Sequence, residues 1–225
     1  MKNRSAVVFL ICLFLVRSSH AGTHHSPRVK TILVLGDSLS DGFRLNRSEA
    51  YPALLVANLR AARLDYQVIN ASQSGGTSDG GLSRLSPHLQ RKIDIFILEL
   101  GINDAFRGVP IMEIRENLQA IVDQVRGRNA HVRIIIAGMQ MPNYAAEDYV
   151  SAFSQMYADL AAKNNAALVP ALLAGVAGDP NLNLPDRLHP NKAGHKILAE
   201  NVWRVLEPIA REVSAVAPAG AAVER

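Results

Sequence analysis

Ser38 lies where a parallel α/β sheet would place a reacting group. It belongs to the segment Gly36–Ser40, which directly follows the apolar run Thr31–Leu35, and that run is typical of a buried strand. In open α/β folds, ligands bind beyond the carboxyl ends of the strands. A hydroxyl is a weak nucleophile on its own and needs a base, an acid that orients the base, and donors for an oxyanion. A chemical role for Ser38 therefore requires these groups elsewhere in the chain.

A base and an orienting acid occur together near the end of the chain. Asp186 and His189 are separated by two residues, so in a turn the carboxylate can accept a hydrogen bond from the imidazole Nδ1–H. That bond leaves Nε2 free to take a proton from a serine. Pro190 disfavours a helical conformation at His189 and so places the imidazole before the last helix. The alternative is a polar loop in which His189 is merely exposed, and these residues alone leave both open.

Two further segments offer donors for an oxyanion. Asn103 carries a side-chain amide and follows the apolar run Ile93–Leu100. Gly75 is one of two adjacent glycines after the run Gln67–Asn70, and such a pair lets a backbone N–H approach a ligand closely. An ordinary turn after a strand is the alternative in both places. Neither the dinucleotide-binding nor the phosphate-loop glycine pattern is present.

Strand-like and helical segments alternate along the chain. The predicted strands are Thr31–Leu35, Gln67–Asn70, Ile93–Leu100, Arg133–Met139 and Ala166–Val169. The predicted helices are Pro52–Arg63, Pro110–Arg126, Glu147–Lys163 and Asn191–Val213. This alternation predicts an α/β fold, a three-layer sandwich in which helices flank a central, mostly parallel five-stranded sheet. The candidate nucleophile, donors and acid–base pair are then expected at one edge of the sheet.

The first 21 residues have the pattern of an export signal. Lys2 and Arg4 precede the apolar run Ala6–Val16, which is followed by the small-x-small sequence Ser19–Ala21. A bilayer span needs roughly 20 apolar residues, so this run favours a cleaved signal peptide over a membrane anchor. We expect cleavage after Ala21 and delivery to a periplasm or to the outside of the cell.

The composition of the remaining chain excludes several classes of site. Cys12, the single cysteine, lies within the signal segment, so a disulfide or a cysteine-ligated metal is not expected. Three of the positive charges behind the formal net charge of +4 also lie there, which leaves the mature chain near +1. A nucleic-acid partner is therefore not expected.

We predict one domain over residues 30–213, a loose leader at 22–29 and a flexible tail at 214–225.

Taken together, the motifs resemble those of the SGNH or GDSL hydrolases. The likeness runs from about Lys30 to Pro208 and is greatest to the bacterial exported acyl-CoA thioesterase/arylesterase/lysophospholipase branch. The family blocks correspond here to Gly36–Ser40, Ser74-Gly75, Gly101–Asp104 and Asp186–His189. Residues shared with that branch are Asn70–Ser72, Thr77-Ser78, Glu99–Gly101 and Met141–Tyr144.

The resemblance implies a role for each of these residues. Ser38 would be the nucleophile, and His189 would be the base that Asp186 orients. The backbone N–H groups of Ser38 and Gly75, with the Asn103 side chain, would form the oxyanion hole. It further implies an SGNH/flavodoxin-like sheet, no metal or organic cofactor, and a small acyl ester or thioester as the partner molecule. A monomer without a stable membrane anchor is favoured.

Four apolar residues near strand ends are candidates for an acyl pocket. They are Met139, Met141, Leu184 and Phe106, and ordinary core positions are the alternative for each.

Two features depart from the branch: Gly76 stands where an acidic residue is usual, and Ala105–Val109 is only partly similar. The second departure leaves the preferred chain length open. His195 is expected on the surface of the last helix.

The predicted function is hydrolysis of acyl esters or thioesters through an acyl-enzyme. A carbohydrate O-acetylesterase on the same scaffold is one alternative, and a non-catalytic binding protein is another. The common α/β-hydrolase is disfavoured because Ser40 stands in place of the final glycine of its G-x-S-x-G motif.

Overall fold

The computed structural model describes residues 28–141 and 146–216 of the chain. The predicted signal peptide, residues 1–21, lies outside the described residues. Residues 22–27 of the predicted leader and 217–225 of the predicted tail lie outside them as well, and so does most of the Met141–Tyr144 motif.

Five parallel strands form one sheet at the centre of the molecule. In chain order they are β1 (Lys30–Gly36), β2 (Tyr66–Asn70), β3 (Ile95–Glu99), β4 (Arg133–Ala137) and β5 (Ala167–Val169). Their spatial order is β2-β1-β3-β4-β5, and each pairing is parallel. The chain therefore builds the sheet first to one side of β1 and then to the other, as in doubly wound folds.

Helices cover both faces of this sheet. They are α1 (Ser38–Asp41), α2 (Tyr51–Ala61), α3 (Ser78–Leu85), α4 (Ile102–Phe106), α5 (Ile111–Arg128), α6 (Glu147–Lys163) and α7 (Lys192–Ala215), with 3₁₀ turns at Arg47–Glu49 and Ser86–Gln90. The helices α2 and α7 pack together on one face, whereas α3, α5 and α6 pack on the other. Every residue of β3 is buried, as expected for a parallel sheet covered on both sides. The predicted three-layer α/β sandwich is confirmed.

The four predicted helices are present because each buries an apolar face. The buried residues of α5 are Ile114, Leu118, Ile121, Val122 and Val125, which follow the helical repeat seen in the sequence. The last helix, α7, continues past its predicted end at Val213 to Ala215, two residues into the predicted tail.

Sequence patterns did not indicate α3. Its sequence contains Gly80 and Gly81, which disfavour a helix, and only two large apolar residues, Leu82 and Leu85. Gly81 is buried against the sheet, and a Cβ at this position would overlap the Leu100 side chain. Gly81 weakens the local helical signal, but it also allows α3 to pack closely against Leu100.

The carboxyl ends of three neighbouring strands meet at one edge. In the ladder Gly36 is paired with Glu99, and Val34 is paired with Asn70. The loops that follow β1, β2 and β3 therefore emerge side by side, as the sequence predicts. Within the described residues, no helix is long and apolar enough to cross a membrane.

A fourth loop is fastened to the start of α7. Asn183 and Pro190 form an isolated antiparallel bridge, and the Leu184 N–H donates to the His189 carbonyl at 2.8 Å. Asn191 caps α7, since its side chain accepts hydrogen bonds from the backbone N–H groups of Ala193 and Gly194. The segment that carries Asp186 and His189 is thus held by a long helix.

We predict that Gly194→Ala destabilises the protein. A Cβ at Gly194 would overlap the Leu182 carbonyl oxygen and lie 2.8 Å from Pro190 Cβ, and a backbone atom cannot move cheaply. Overpacking of this kind lowers the free energy of unfolding by about 1–3 kcal/mol, measurable by urea denaturation. Gly127→Ala is the matched control, because this exposed glycine of α5 has no atom near its Cβ position. It should stabilise by about 0.5–1 kcal/mol, and equal effects of the two substitutions would contradict the packing argument.

Candidate active site

Ser38 begins a four-residue helix directly after β1. Asp37 caps this helix, since its Oδ1 accepts a hydrogen bond from the Leu39 N–H at 2.9 Å. Gly42 ends the helix with a φ of 83°, a left-handed conformation that favours glycine. The turn from strand to helix is therefore tight, and Ser38 lies in it at the sheet edge.

Ser38, His189 and Asp186 are joined by hydrogen bonds. Ser38 Oγ lies 3.1 Å from His189 Nε2, and His189 Nδ1 lies 2.9 Å from Asp186 Oδ2. The other oxygen, Asp186 Oδ1, accepts hydrogen bonds from the backbone N–H groups of Leu188 and His189, each at 3.0 Å. The two motifs are 151 residues apart in sequence, and the fold brings them into contact.

The charge of Asp186 determines the tautomer of His189. Partial burial acts to raise the pKa of Asp186, but hydrogen bonds from the His189 and Leu188 N–H groups and from the imidazole outweigh it. They lower the pKa to about 2, so the carboxylate is ionised at neutral pH. An ionised Asp186 can only accept a hydrogen bond, and the Nδ1 atom of His189 therefore carries the proton. Nε2 is left to accept the Ser38 hydroxyl proton.

An aromatic ring limits the movement of the imidazole. Phe43 lies with its ring centroid 4.3 Å from that of His189, and the two planes are tilted by 37°. The Arg44 guanidinium lies 5.0 Å from the Phe43 centroid, within the range of a cation–π contact. Sequence reasoning missed this packing, because nothing in the local pattern connects residues 43 and 189.

The backbone N–H groups of Ser38 and Gly75 have no acceptor in the part of the chain that the structure describes. Among the described residues, neither the Ser38 N–H nor the Gly75 N–H donates a hydrogen bond to another protein group. Gly75 has a φ of 76°, with open space where a Cβ would lie, so it is needed for its backbone conformation. Asp41 Oδ2 accepts from the Ser74 N–H and hydroxyl, and the Arg107 guanidinium donates to the Gly75 carbonyl. These bonds hold the Gly75 turn on both sides.

The Asn103 side chain lies between the Ser38 and Gly75 turns. Its amide nitrogen donates to Asp37 Oδ2 at 3.0 Å and to the Gly76 carbonyl at 3.1 Å. The structure therefore brings Asn103 to the same edge of the sheet as Ser38 and Gly75, with both of its N–H bonds directed at protein acceptors.

Known proteins resemble the chain over most of its length. The GDSL-like lipase/acylhydrolase family model matches residues 34–197. The chain belongs to this family. Esterase TesA of Pseudomonas aeruginosa is 39% identical over 181 residues, which cover 80% of this chain and 89% of that protein. The Escherichia coli thioesterase 1/protease 1/lysophospholipase L1 is 33% identical over 188 residues, covering 83% and 88%.

A solved structure of a family esterase has the same fold. The psychrotrophic esterase EstA from Pseudoalteromonas, inhibited by monoethylphosphonate, superposes with a TM-score of 0.74 at 30% identity. The match covers 80% of this chain and 97% of that one. These findings confirm the family resemblance that the four sequence motifs indicate.

In this GDSL-family chain, the four candidate acyl-pocket residues fall into two groups. Met139 and Met141 are buried in the hydrophobic core, with exposed fractions of 2% and 6%. Leu184 is half-buried, and Phe106 is exposed at the surface. Leu188, which the sequence reasoning did not name, is an exposed apolar residue next to His189.

A buried polar cluster lies beneath the GDSL motif, residues Gly36–Leu39, and was not predicted from the sequence. Glu99 Oε2 accepts hydrogen bonds from the Asp37 N–H at 3.0 Å and from Ser40 Oγ at 2.6 Å. Ser40 Oγ lies 2.8 Å from the Tyr51 hydroxyl, and all four residues are fully buried. Burial, followed by the neighbouring Asp37 charge, raises the pKa of Glu99 well above its usual range. The one available signal was an acidic residue at the end of the otherwise apolar strand β3.

The prediction that His195 lies on the surface of α7 is wrong. Its exposed fraction is 1%, and its Nδ1 accepts a hydrogen bond from the Tyr51 N–H at 3.1 Å. Burial lowers the pKa of His195 to about 4, so the ring is neutral and joins α7 to the start of α2. The signal was present in the helical repeat, because His195 precedes the buried residues Leu198 and Ala199 by one turn.

The described ranges 28–141 and 146–216 contain no group of three or more His, Cys, Asp or Glu side chains that could hold a metal ion.

Proposed function

We propose that this protein is a serine hydrolase that cleaves carboxylic esters or thioesters of acyl chains through an acyl-enzyme. The observation that carries the proposal is the continuous hydrogen-bonded path from Ser38 Oγ through His189 to Asp186. Support also comes from relatives named as an esterase and as a thioesterase and lysophospholipase, which match over most of the chain.

In this proposal Ser38 Oγ attacks the acyl carbonyl while His189 Nε2 takes its proton. The ionised Asp186 stabilises the imidazolium that forms and keeps the ring oriented. His189 then protonates the departing alcohol or thiol, and the acyl group stays on Ser38 as an ester. A water molecule repeats the sequence from the same side, releasing the acid and restoring the hydroxyl.

The oxyanion is held by the backbone N–H groups of Ser38 and Gly75 and by the Asn103 amide. The support for the first two is that neither donates to a protein group among the described residues. For Asn103 to take part, one N–H turns from the Gly76 carbonyl toward the substrate, while Asp37 keeps the other. The exchange replaces a neutral acceptor with a charged one, so it is favoured when the oxyanion forms.

The acyl chain binds along the apolar side chains next to the triad of Ser38, His189 and Asp186. We place Leu184 and Phe106 in contact with the acyl chain of the substrate, since both side chains are at least partly exposed near the motifs that carry the site. Met139 and Met141, which are buried, are proposed as the wall of the pocket. Methionine adapts its shape to irregular gaps, which suits such a wall.

The protein is further proposed to be exported. The support is the basic, apolar and small-residue pattern of its first 21 residues.

The first test is Ser38→Ala. The wild type should hydrolyse a long-chain p-nitrophenyl ester and an acyl-CoA, and a fluorophosphonate should label Ser38 covalently. Ser38→Ala should lose the labelling and about 10⁶-fold in kcat. Ser151→Ala, at an exposed position of α6, is the matched control and should behave like the wild type. Ester hydrolysis that survives in Ser38→Ala would exclude the assignment, and cleavage of acetylated sugars alone would favour the carbohydrate esterase.

Asn103→Ala should lower kcat by roughly 10²–10³-fold while leaving some turnover, because one of three oxyanion donors is lost. Asn117→Ala is the control, since its amide also donates to a protein group, Ser78 Oγ, but outside the site. Steady-state kinetics on a p-nitrophenyl ester provide the measurement. Equal kcat values for the two variants would remove Asn103 from the oxyanion hole.

Export predicts a mature chain that begins at Gly22. The check is N-terminal sequencing of the protein, purified from a periplasmic extract or from the culture medium of a bacterial host. Recovery of full-length protein from the cytoplasm alone would contradict export. A variant with Leu10→Arg, which interrupts the apolar run, should remain uncleaved.

A further inference from the structure

We infer that Glu99 is a positioning residue for Ser38, and that it acts as a neutral carboxylic acid beneath the nucleophile turn. This inference rests on the proposed function, because it concerns the geometry of the same serine. It assigns a role to a buried acidic residue that the proposed reaction does not use.

Glu99 holds the residues on either side of Ser38 with one oxygen. Its Oε2 accepts from the N–H of Asp37, which precedes Ser38, and from the hydroxyl of Ser40, which follows it by two residues. A displacement of this oxygen would therefore move both sides of the turn. The Ser38 hydroxyl would move with the turn. Since catalytic groups must be held within a fraction of an ångström, such a movement would lower activity.

The glycine of the motif makes room for this carboxyl group. A Cβ at Gly36 would overlap Glu99 Oε2 and lie 2.5 Å from Ser40 Oγ. The two residues are also ladder partners at the ends of β1 and β3. Gly36 is thus needed because the Glu99 side chain passes directly over its backbone.

The surroundings of Glu99 favour its protonated form. The ionisable groups that face it are Asp37, Tyr51, Arg84 and Tyr157, from the end of β1, α2, α3 and α6. Arg84 is the only cation among these four, and its hydrogen bond goes to the Gly36 carbonyl at 2.8 Å instead of to a carboxylate. Two unpaired carboxylates buried side by side would repel each other strongly, so one of them holds a proton.

Asp37 is the member of this pair that is ionised at neutral pH, although burial raises its pKa to about 6. It accepts hydrogen bonds from the Leu39 N–H and the Asn103 amide, which stabilise the ionised form. Glu99 Oε1, in contrast, has no hydrogen-bond partner among the described residues. The proton therefore belongs on Glu99, whose pKa burial raises well above its usual range.

Neutrality at Glu99 suits the reaction. A neutral carboxyl group accepts both hydrogen bonds through Oε2 without adding a second negative charge close to Ser38. An additional buried negative charge there would oppose formation of the oxyanion, since electrostatic interactions are strong in a site that excludes water.

The test compares Glu99→Gln with Glu99→Leu. Glutamine keeps a neutral oxygen acceptor, so it should retain kcat and the rate of fluorophosphonate labelling within about threefold, whereas leucine should lower both by roughly 10²-fold with little change in KM. Asp94→Leu is the matched control, because Asp94 is a buried acid just before the other end of β3. It should lower stability but leave kcat unchanged when the protein is folded, as checked by near-UV circular dichroism.

The same variants give a pH readout. Because the folded state holds the Glu99 proton more tightly than the unfolded chain does, wild-type stability should fall relative to Glu99→Gln as pH rises from about 4.5, the ordinary pKa of a glutamate, into the neutral and mildly alkaline range. Urea denaturation across this range measures the difference.

Each contrary outcome has its own meaning. Full activity in Glu99→Leu would exclude a positioning role, and a loss in Glu99→Gln as large as in Glu99→Leu would show that the ionised form is required. A stability difference that does not vary with pH would exclude the neutral acid. Failure of the wild type itself to be labelled would overturn the proposed function instead.

Discussion

The close approach of β1 and β3 at their carboxyl ends is the constraint on which the candidate site depends. Gly36 and Glu99 are neighbours in the ladder, and the glycine leaves space for the Glu99 carboxyl group. That group holds the N–H of Asp37, and Asp37 in turn holds the amide of Asn103. The turn that carries Ser38 and the side chain proposed as an oxyanion donor are thereby positioned by one contact between two central strands, and strands hold a site more precisely than loops do.

The other half of the site is positioned by a different element, the helix α7. His189 and Asp186 lie on a loop that an antiparallel bridge and the Asn191 cap tie to α7. Buried contacts with α2 and the sheet hold α7 itself in place, including the hydrogen bond from the Tyr51 N–H to His195. The Tyr51 hydroxyl also lies within hydrogen-bond distance of Ser40 Oγ, so this one residue links the turn that carries Ser38 to the helix that holds the His189 loop. The 3.1 Å contact between Ser38 and His189 thus depends on packing within the helical layer as well as on the loops.

Local patterns were enough to predict the strands, the long helices and the residues that meet at the sheet edge. Each of these follows from apolar periodicity or from short motifs read within a few residues. What was missed depends on contacts between distant segments: Glu99 beneath Ser40, Phe43 against His189, and the burial of His195. The helix α3 was missed for a related reason, because Gly81 is explained only by the Leu100 side chain on which it packs.

Three carboxyl groups near the site illustrate how environment separates roles. Asp186 is close to solvent and accepts three hydrogen bonds, so it stays ionised and can stabilise a cationic imidazole. Asp37 is buried but accepts from a backbone N–H and an amide, which together support one buried charge. Glu99 also accepts two hydrogen bonds, but both reach one oxygen and the other has no partner among the described residues, so burial favours the neutral acid. Side chains of one chemical type thus come to differ in charge because their burial and their hydrogen-bond partners differ.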